Sequence, residues 1–176
     1  MRKIIPLLVL AALFVFGANV QAASKGKAAA VKAGAEVKTE YFEIKIPDGW
    51  MMPQAVRDMP NGAVAAVFAL ENRQVAVAIT AMKAEMDAKT IAEQTAANMR
   101  KGGMDATEPV EKDGFYVVEM QPKAKKDPNA VGVAIFGSNG KECTVTTVTG
   151  TDVRKANELL GALKPLKGAK FPTSVQ

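Results

Sequence analysis

No histidine occurs anywhere in the 176 residues, and cysteine occurs once. Without an imidazole there is no Ser-His-Asp or Cys-His catalytic centre, no His-ligated zinc or haem, and no unperturbed side chain that titrates near neutral pH. A single cysteine, Cys143, has no partner within the chain for a disulfide. Aromatic residues make up 6% of the sequence and no recognition motif accompanies its lysines, so nucleic acid is not an expected partner. What is present is enough for a core: 48% of the residues are hydrophobic and 23% charged, in a length that suits one domain.

The N-terminus addresses location. Arg2 and Lys3 precede an apolar run from Ile4 to Phe16, and Gly17 to Ala22 forms a small, polar exit. This is the three-part pattern of a secretory signal, with Val20 and Ala22 at the −3 and −1 positions of the cut. The run is too short to span roughly 30 Å of hydrocarbon comfortably. Cleavage is predicted after Ala22, which removes Arg2 and Lys3 and lowers the formal net charge of +5 by two. The cysteine a lipid anchor would need at that point is absent, so the expected mature chain is soluble, without a transmembrane segment, monomeric, and periplasmic or secreted.

Ala23 to Thr39 is rich in Ala, Lys and Gly and lacks aromatics, and is read as a flexible leader. Structure is expected from Glu40 to Leu166. Phe42, Ile44 and Ile46 alternate with Glu43 and Lys45 as a half-buried strand that Pro47-Asp48-Gly49 stops. Met51 to Asn61 is punctuated by Pro53 and Pro60 and reads as irregular. Ala63–Leu70 and Gln74–Thr80 read as a hairpin. In the second strand, Val75, Val77 and Ile79 oppose Ala76, Ala78 and Thr80, so neither face is charged and both should be covered.

Asp87 is a plausible N-cap for a helix reaching Lys101, with Ile91, Ala92, Thr95, Ala96 and Met99 on one side and Gly102-Gly103 at its end. Thr107–Lys112 and Phe115–Gln121 follow as strands joined through Asp113-Gly114, and Ala130–Phe136 and Lys141–Thr149 as a hairpin around Asn139-Gly140. Between the pairs lies a polar loop with Lys123, Lys125 and Lys126. A closing helix is expected from Thr151 or Asp152 to Pro165, and Lys167–Gln176 as a short tail. The fold class is therefore α+β: a three-layer α/β/α sandwich around a mainly antiparallel sheet of six to seven strands.

Phe42-Glu43-Ile44-Lys45-Ile46-Pro47-Asp48-Gly49-Trp50, with the order of elements from Glu40 to Leu166, resembles the PsbP-like superfamily and its bacterial periplasmic members of the DcrB type. The resemblance implies an α/β/α domain that binds or supports assembly rather than catalysing a reaction. The chain departs from those members in having neither the lipid-attachment cysteine nor a histidine, so no functional residue carries over. Physically, Pro47 blocks strand continuation, Gly49 permits a tight turn, and the indole of Trp50 can plug one end of the core.

Candidate chemistry is thin. Ser138-Asn139-Gly140-Lys141 matches Ser-x-x-Lys, but that motif works at a helix start and Asn-Gly predicts a hairpin. The same stretch has too few residues between its glycines for a phosphate loop, and Glu142 stands where a magnesium-binding hydroxyl belongs. Methionine sulfur suits Cu(I), yet Met82 and Met86 would face together only in a helix, and core filling accounts for them as well. Lysines of the leader, the 123–126 loop and the tail fit solubility, with an anionic surface as the other reading.

No catalytic residue, cofactor or metal is assigned. The expected function is a non-enzymatic binding or assembly-support protein whose partner is a protein or a small apolar ligand. The candidate surface is Trp50, Met51, Met52 and Met59, apolar residues in a segment whose burial nothing guarantees. The alternatives are a methionine-based Cu(I) carrier and a Ser/Lys hydrolase.

Overall fold

The computed structural model describes residues 30–59, 62–122 and 131–175. The signal segment, the first part of the leader, Pro60–Asn61 and the loop lysines Lys123, Lys125 and Lys126 lie outside these residues. In chain order the strands are β1 (Glu36–Lys38), β2 (Phe42–Lys45), β3 (Trp50–Met51), β4 (Arg57–Asp58), β5 (Val64–Leu70), β6 (Val75–Lys83), β7 (Met104–Ala106), β8 (Val110–Lys112), β9 (Phe115–Pro122), β10 (Val131–Ser138), β11 (Glu142–Gly150) and β12 (Lys164–Pro165). Helix α1 spans Ala88–Lys101; a 3-10 turn over Val153–Ala156 leads into α2, Asn157–Ala162.

The main sheet runs β3-β5-β6-β11-β10-β9-β7, with β4 beside β5 and β8 beside β9, and every pairing is antiparallel. A small sheet orders β1-β2-β12. The chain is α+β. Local chemistry accounts for the hairpins. Asp113 and Gly114 both take positive φ, 50° and 78°, the conformation of a two-residue turn that matches strand twist. At the β10–β11 turn, Asn139 Oδ1 accepts the amides of Lys141 and Glu142 at 2.9 and 2.7 Å.

Each face of the main sheet carries a core. On one, Trp50, Phe68, Val75, Val77, Ile79, Val133 and Ile135 meet Tyr41, Phe42, Ile44 and Ile46 of the N-terminal segment and Leu159, Leu160 and Phe171 near the C-terminus. On the other, Ile91, Ala92, Ala96 and Met99 of α1 meet Met104, Val118, Met120, Ala134 and Phe136. Each fully buried Ile, Leu or Phe contributes about 1.5–3 kcal/mol of transfer free energy. α1 begins as its sequence dictates: Asp87 Oδ1 accepts the Thr90 amide at 2.8 Å.

The structure differs from the sequence reading at several points. Pairing starts before Glu40: β1 lies against β2, and Val31 bridges Met52. The segment after Trp50 is not wholly irregular, because β3 and β4 both pair with β5. Of the strand expected over Thr107–Lys112 only Val110–Lys112 forms, as β8, after Pro109, which has no amide to donate; the unexpected β7 precedes it at Met104–Ala106. The closing helix stops at Ala162 because Pro165 disfavours helical backbone just before it, and Lys164–Pro165 joins β2 instead. The tail is not loose: Ala169, Phe171 and Val175 are buried in the first core.

Cover over the sheet also differs. α1 packs against β7, β9 and β10, so both faces of β10 are buried, but Ala76 and Ala78 of β6 are half-exposed and Val67 of β5 is 38% exposed. The opposite face is covered by the small sheet and the C-terminal segment as much as by the six-residue α2. One helix about 10 Å across cannot roof seven strands spaced about 4.8 Å apart.

Candidate functional site

Trp50 and Met52 are buried in the first core, at 0% and 1% exposure, and offer a partner nothing. The cause is alternation. Trp50 pairs with Leu70 and Met51 with Ala69, so Trp50 and Met52 turn into the core while Met51 turns to the opposite face. Met51 and Met59 are half-buried; Met59 packs at the edge of the second core. The four candidate residues therefore do not form one surface. The indole N–H of Trp50 has no hydrogen-bond partner among the described residues.

What the backbone register does assemble is a floor on the face that carries α1. One row runs Met51–Ala69–Ala76–Thr149–Gly132 across β3, β5, β6, β11 and β10; the next runs Val67–Ala78–Thr147–Ala134; a third runs Arg57–Ala65–Thr80–Val145. α1 covers the β10 side of the sheet, where the first two rows end and beyond the β11 end of the third. At the other end, Ala65, Val67, Ala69, Ala76, Ala78 and Thr149 lie partly open, and Arg57 at the margin is the one charged member of the three rows named. A floor of alanines, one valine and threonine hydroxyls has no nucleophile or carboxylate to offer, and it can contribute apolar contact and hydroxyl hydrogen bonds. Sequence reasoning missed it because strand-by-strand alternation marks β6 as uncharged on both faces without telling which face a helix reaches.

The motif residues are otherwise engaged. Ser138 Oγ donates to the carbonyl of Met86 at 2.8 Å and accepts the Gly140 amide at 3.0 Å, at the start of a hairpin rather than a helix. Cys143 is buried, its Sγ 3.3 Å from the carbonyls of Ala84 and Met86, and burial pushes its thiol up from the ordinary range. Met82 faces Cys143 across the β6–β11 pairing, and Met86 packs against the same core. Both methionines border one core without the helix that the sequence reading required, and the Ala84 amide, donating to the Lys141 carbonyl, carries the β6–β11 pairing one residue further. No group of three or more His, Cys, Asp or Glu side chains able to hold a metal occurs among the described residues.

Charges gather at the junction of the two chain ends, where Glu40 meets Lys167 and Lys83. The hydrogen bond from Lys167 holds the Glu40 carboxyl below the usual range. A groove of about 550 Å³ lies beside Arg100, Asp105, Glu119 and Val131, where β9 and β10 lead toward residues 123–130. A smaller one of about 70 Å³ lies under Pro172–Val175. Trp50 lines neither.

No family model matches the sequence, and neither does any curated protein. Among solved structures, the chain is similar to the solution structure of cyanobacterial PsbP (CyanoP) from Synechocystis sp. PCC 6803, with 14% identity, 81% of this chain and 98% of that one covered, and a TM-score of 0.48. The likeness is to a PsbP protein. A crystal structure from Bacteroides thetaiotaomicron VPI-5482 is similar at 13% identity over 79% of this chain, with a TM-score of 0.38, and this chain spans about half of that one. Similarity at these levels concerns fold outline and carries nothing about what the chain binds. DcrB-type membership stays a resemblance in sequence.

Proposed function

We propose that the chain is a soluble, non-enzymatic binding or assembly-support protein that acts outside the cytoplasm after cleavage behind Ala22, and that it meets its partner on the uncovered floor of β5, β6 and β11. The observation that supports this reading is the floor itself: a face half-roofed by α1, with small uncharged side chains where the roof ends and Val67 38% exposed. Solvent-facing strands ordinarily carry charge, and an apolar patch left open on a sheet marks a contact surface.

Two measurements test it. Expression in a Gram-negative host followed by fractionation and intact mass measurement should give residues 23–176 in the periplasm; an uncut chain in the cytoplasm overturns the location. A photo-crosslinking residue at position 67 should then give a discrete adduct that the same residue at position 110, exposed on β8, does not. Equal adducts from both positions, or none from position 67, overturn the surface.

A second reading, Cu(I) handling, is favoured by one observation, the placement of Met82 and Met86 at the same core that holds Cys143. Thioether sulfur is a soft ligand. Titration of the reduced protein with Cu(I) in competition with a chelator tests it, and no uptake removes the idea.

A further inference from the structure

We propose that the occupant of the uncovered floor is a single amphipathic helix with acidic flanks, presented by another protein and lying alongside α1. This rests on the binding reading above and deepens it. The first argument is width. α1 lies over β7, β9 and β10, and at about 4.8 Å per strand the remaining β5, β6 and outer β11 leave roughly 10–14 Å of floor, room for one helix about 10 Å across.

The second is depth and length. Alanines at 69, 76 and 78 let a helix backbone approach closely, and three rows about 7 Å apart make a floor some 20 Å long. A helix of about 14 residues has that length, as does α1 with its 14.

The third argument is area. A helix covering a floor of about 250 Å² buries about 500 Å² in all, under half of the roughly 1,200 Å² of a stable interface, so the occupant is a short segment held weakly and reversibly rather than a permanent subunit.

The fourth is charge. Arg100 reaches the carbonyl of Ala106 and the carboxylate of Glu108, which turns that flank of α1 toward the β7 edge. Helical geometry then sets Gln94 and Asn98 on the opposite flank, as an uncharged wall beside the floor, with Lys101 above it. Arg57 closes the far margin, bonded only to Gln54, and neither Arg57 nor Lys101 forms an ion pair among the described residues. Glu71 and Arg73 at the β5–β6 turn offset one another. Two unpaired cations bordering an apolar trough favour a helix with Asp or Glu beside its apolar stripe.

The test uses two synthetic 16-residue helical peptides with the same Leu/Ala stripe, one flanked by Glu and one by Lys, titrated into the isotope-labelled exported protein and followed by amide shifts. The Glu-flanked peptide should move Ala76, Ala78 and Thr149 and bind at least tenfold more tightly than the Lys-flanked one. Val67→Glu should weaken that binding at least tenfold and Val110→Glu should leave it unchanged. Equal affinity for the two peptides, shifts confined elsewhere, or binding that survives Val67→Glu overturns the proposal, as does concentration-dependent dimerisation through these residues. If neither peptide binds while the position-67 adduct persists, the helix is wrong and the binding surface stands.

Discussion

Asn157 holds Val175 at both ends of its peptide unit: Oδ1 accepts the Val175 amide at 2.7 Å and Nδ2 donates to its carbonyl at 3.4 Å. This clasp fastens the last described residues to the first turn of α2, beside Phe171, whose ring meets Phe42 edge-on at 5.6 Å. Asn157→Ala should cost about 1–2 kcal/mol, two net hydrogen bonds with one of them long. Urea denaturation would read the loss, and faster hydrogen exchange at Val175 would locate it. An unchanged midpoint means that burial of Phe171 and Val175 alone anchors the tail.

Gly137 is where that tail crosses β10. A Cβ there would lie 2.6 Å from the Lys170 carbonyl oxygen, 2.8 Å from Thr144 Oγ1 and 3.1 Å from the Phe115 ring. The Lys170 carbonyl also accepts the hydroxyl of Thr144, so it is not free to retreat. Gly137→Ala should therefore destabilise by about 2–3 kcal/mol, the cost of overpacking a filled site. Gly161→Ala, in α2 with open space around it, should cost nothing and serves as the control.

Asp87 ties the start of α1 to pH. Hydrogen bonds from the Thr90 hydroxyl and amide hold its carboxyl below the ordinary range. A carboxyl depressed in the folded state stabilises above its unfolded pKa, and that contribution fades as pH falls through the folded value. At pH 7, Asp87→Ala should cost about 1 kcal/mol, the usual worth of an N-cap. The gap between wild type and variant should narrow at pH 3. A gap independent of pH assigns the loss to something other than the ionised cap.

Cys143 should be inert in the folded protein. Burial keeps its thiol protonated, outweighing the Ser138 hydroxyl beside it, which favours the thiolate, while the carbonyl oxygens of Ala84 and Met86 accept its proton. An aromatic disulfide reagent at pH 8 should label it only at the rate of unfolding, and completely in guanidinium. Prompt labelling of the native protein would mean that the region around Ala84 and Met86 opens readily.

How much of this was legible depended on whether the deciding contact was local. Phe42-Glu43-Ile44-Lys45, Val75 to Ile79, the Asp87 cap and the Asp113-Gly114 turn all act within a few residues, and the structure follows them closely. Trp50 to Met52 is different. A two-residue strand on an edge has too little alternation to be seen, and its burial comes from Leu70 and the N-terminal segment, remote in sequence. Ala169, Phe171 and Val175 are spaced without period, so only the assembled core reveals that they are inside. The uncovered floor went unseen because Ala76 and Ala78 are compatible with cover and with water alike, alanine being too small to demand either.

Trp50 supplies the sharpest separation between an interaction residue and a core residue. Its side chain is fully buried and its indole N–H has no partner among the described residues, so the polar group brings a desolvation cost and no compensating bond. Removing that N–H while keeping the apolar bulk should be nearly neutral: Trp50→Phe loses some volume and relieves an unpaired donor, for a net change within about 1.5 kcal/mol. Trp50→Ser should cost about 3–5 kcal/mol, as large-to-small core changes do. If Trp50→Ser instead leaves the denaturation midpoint untouched and abolishes the adduct formed from position 67, the indole faces a partner after all and the packing described around it is wrong.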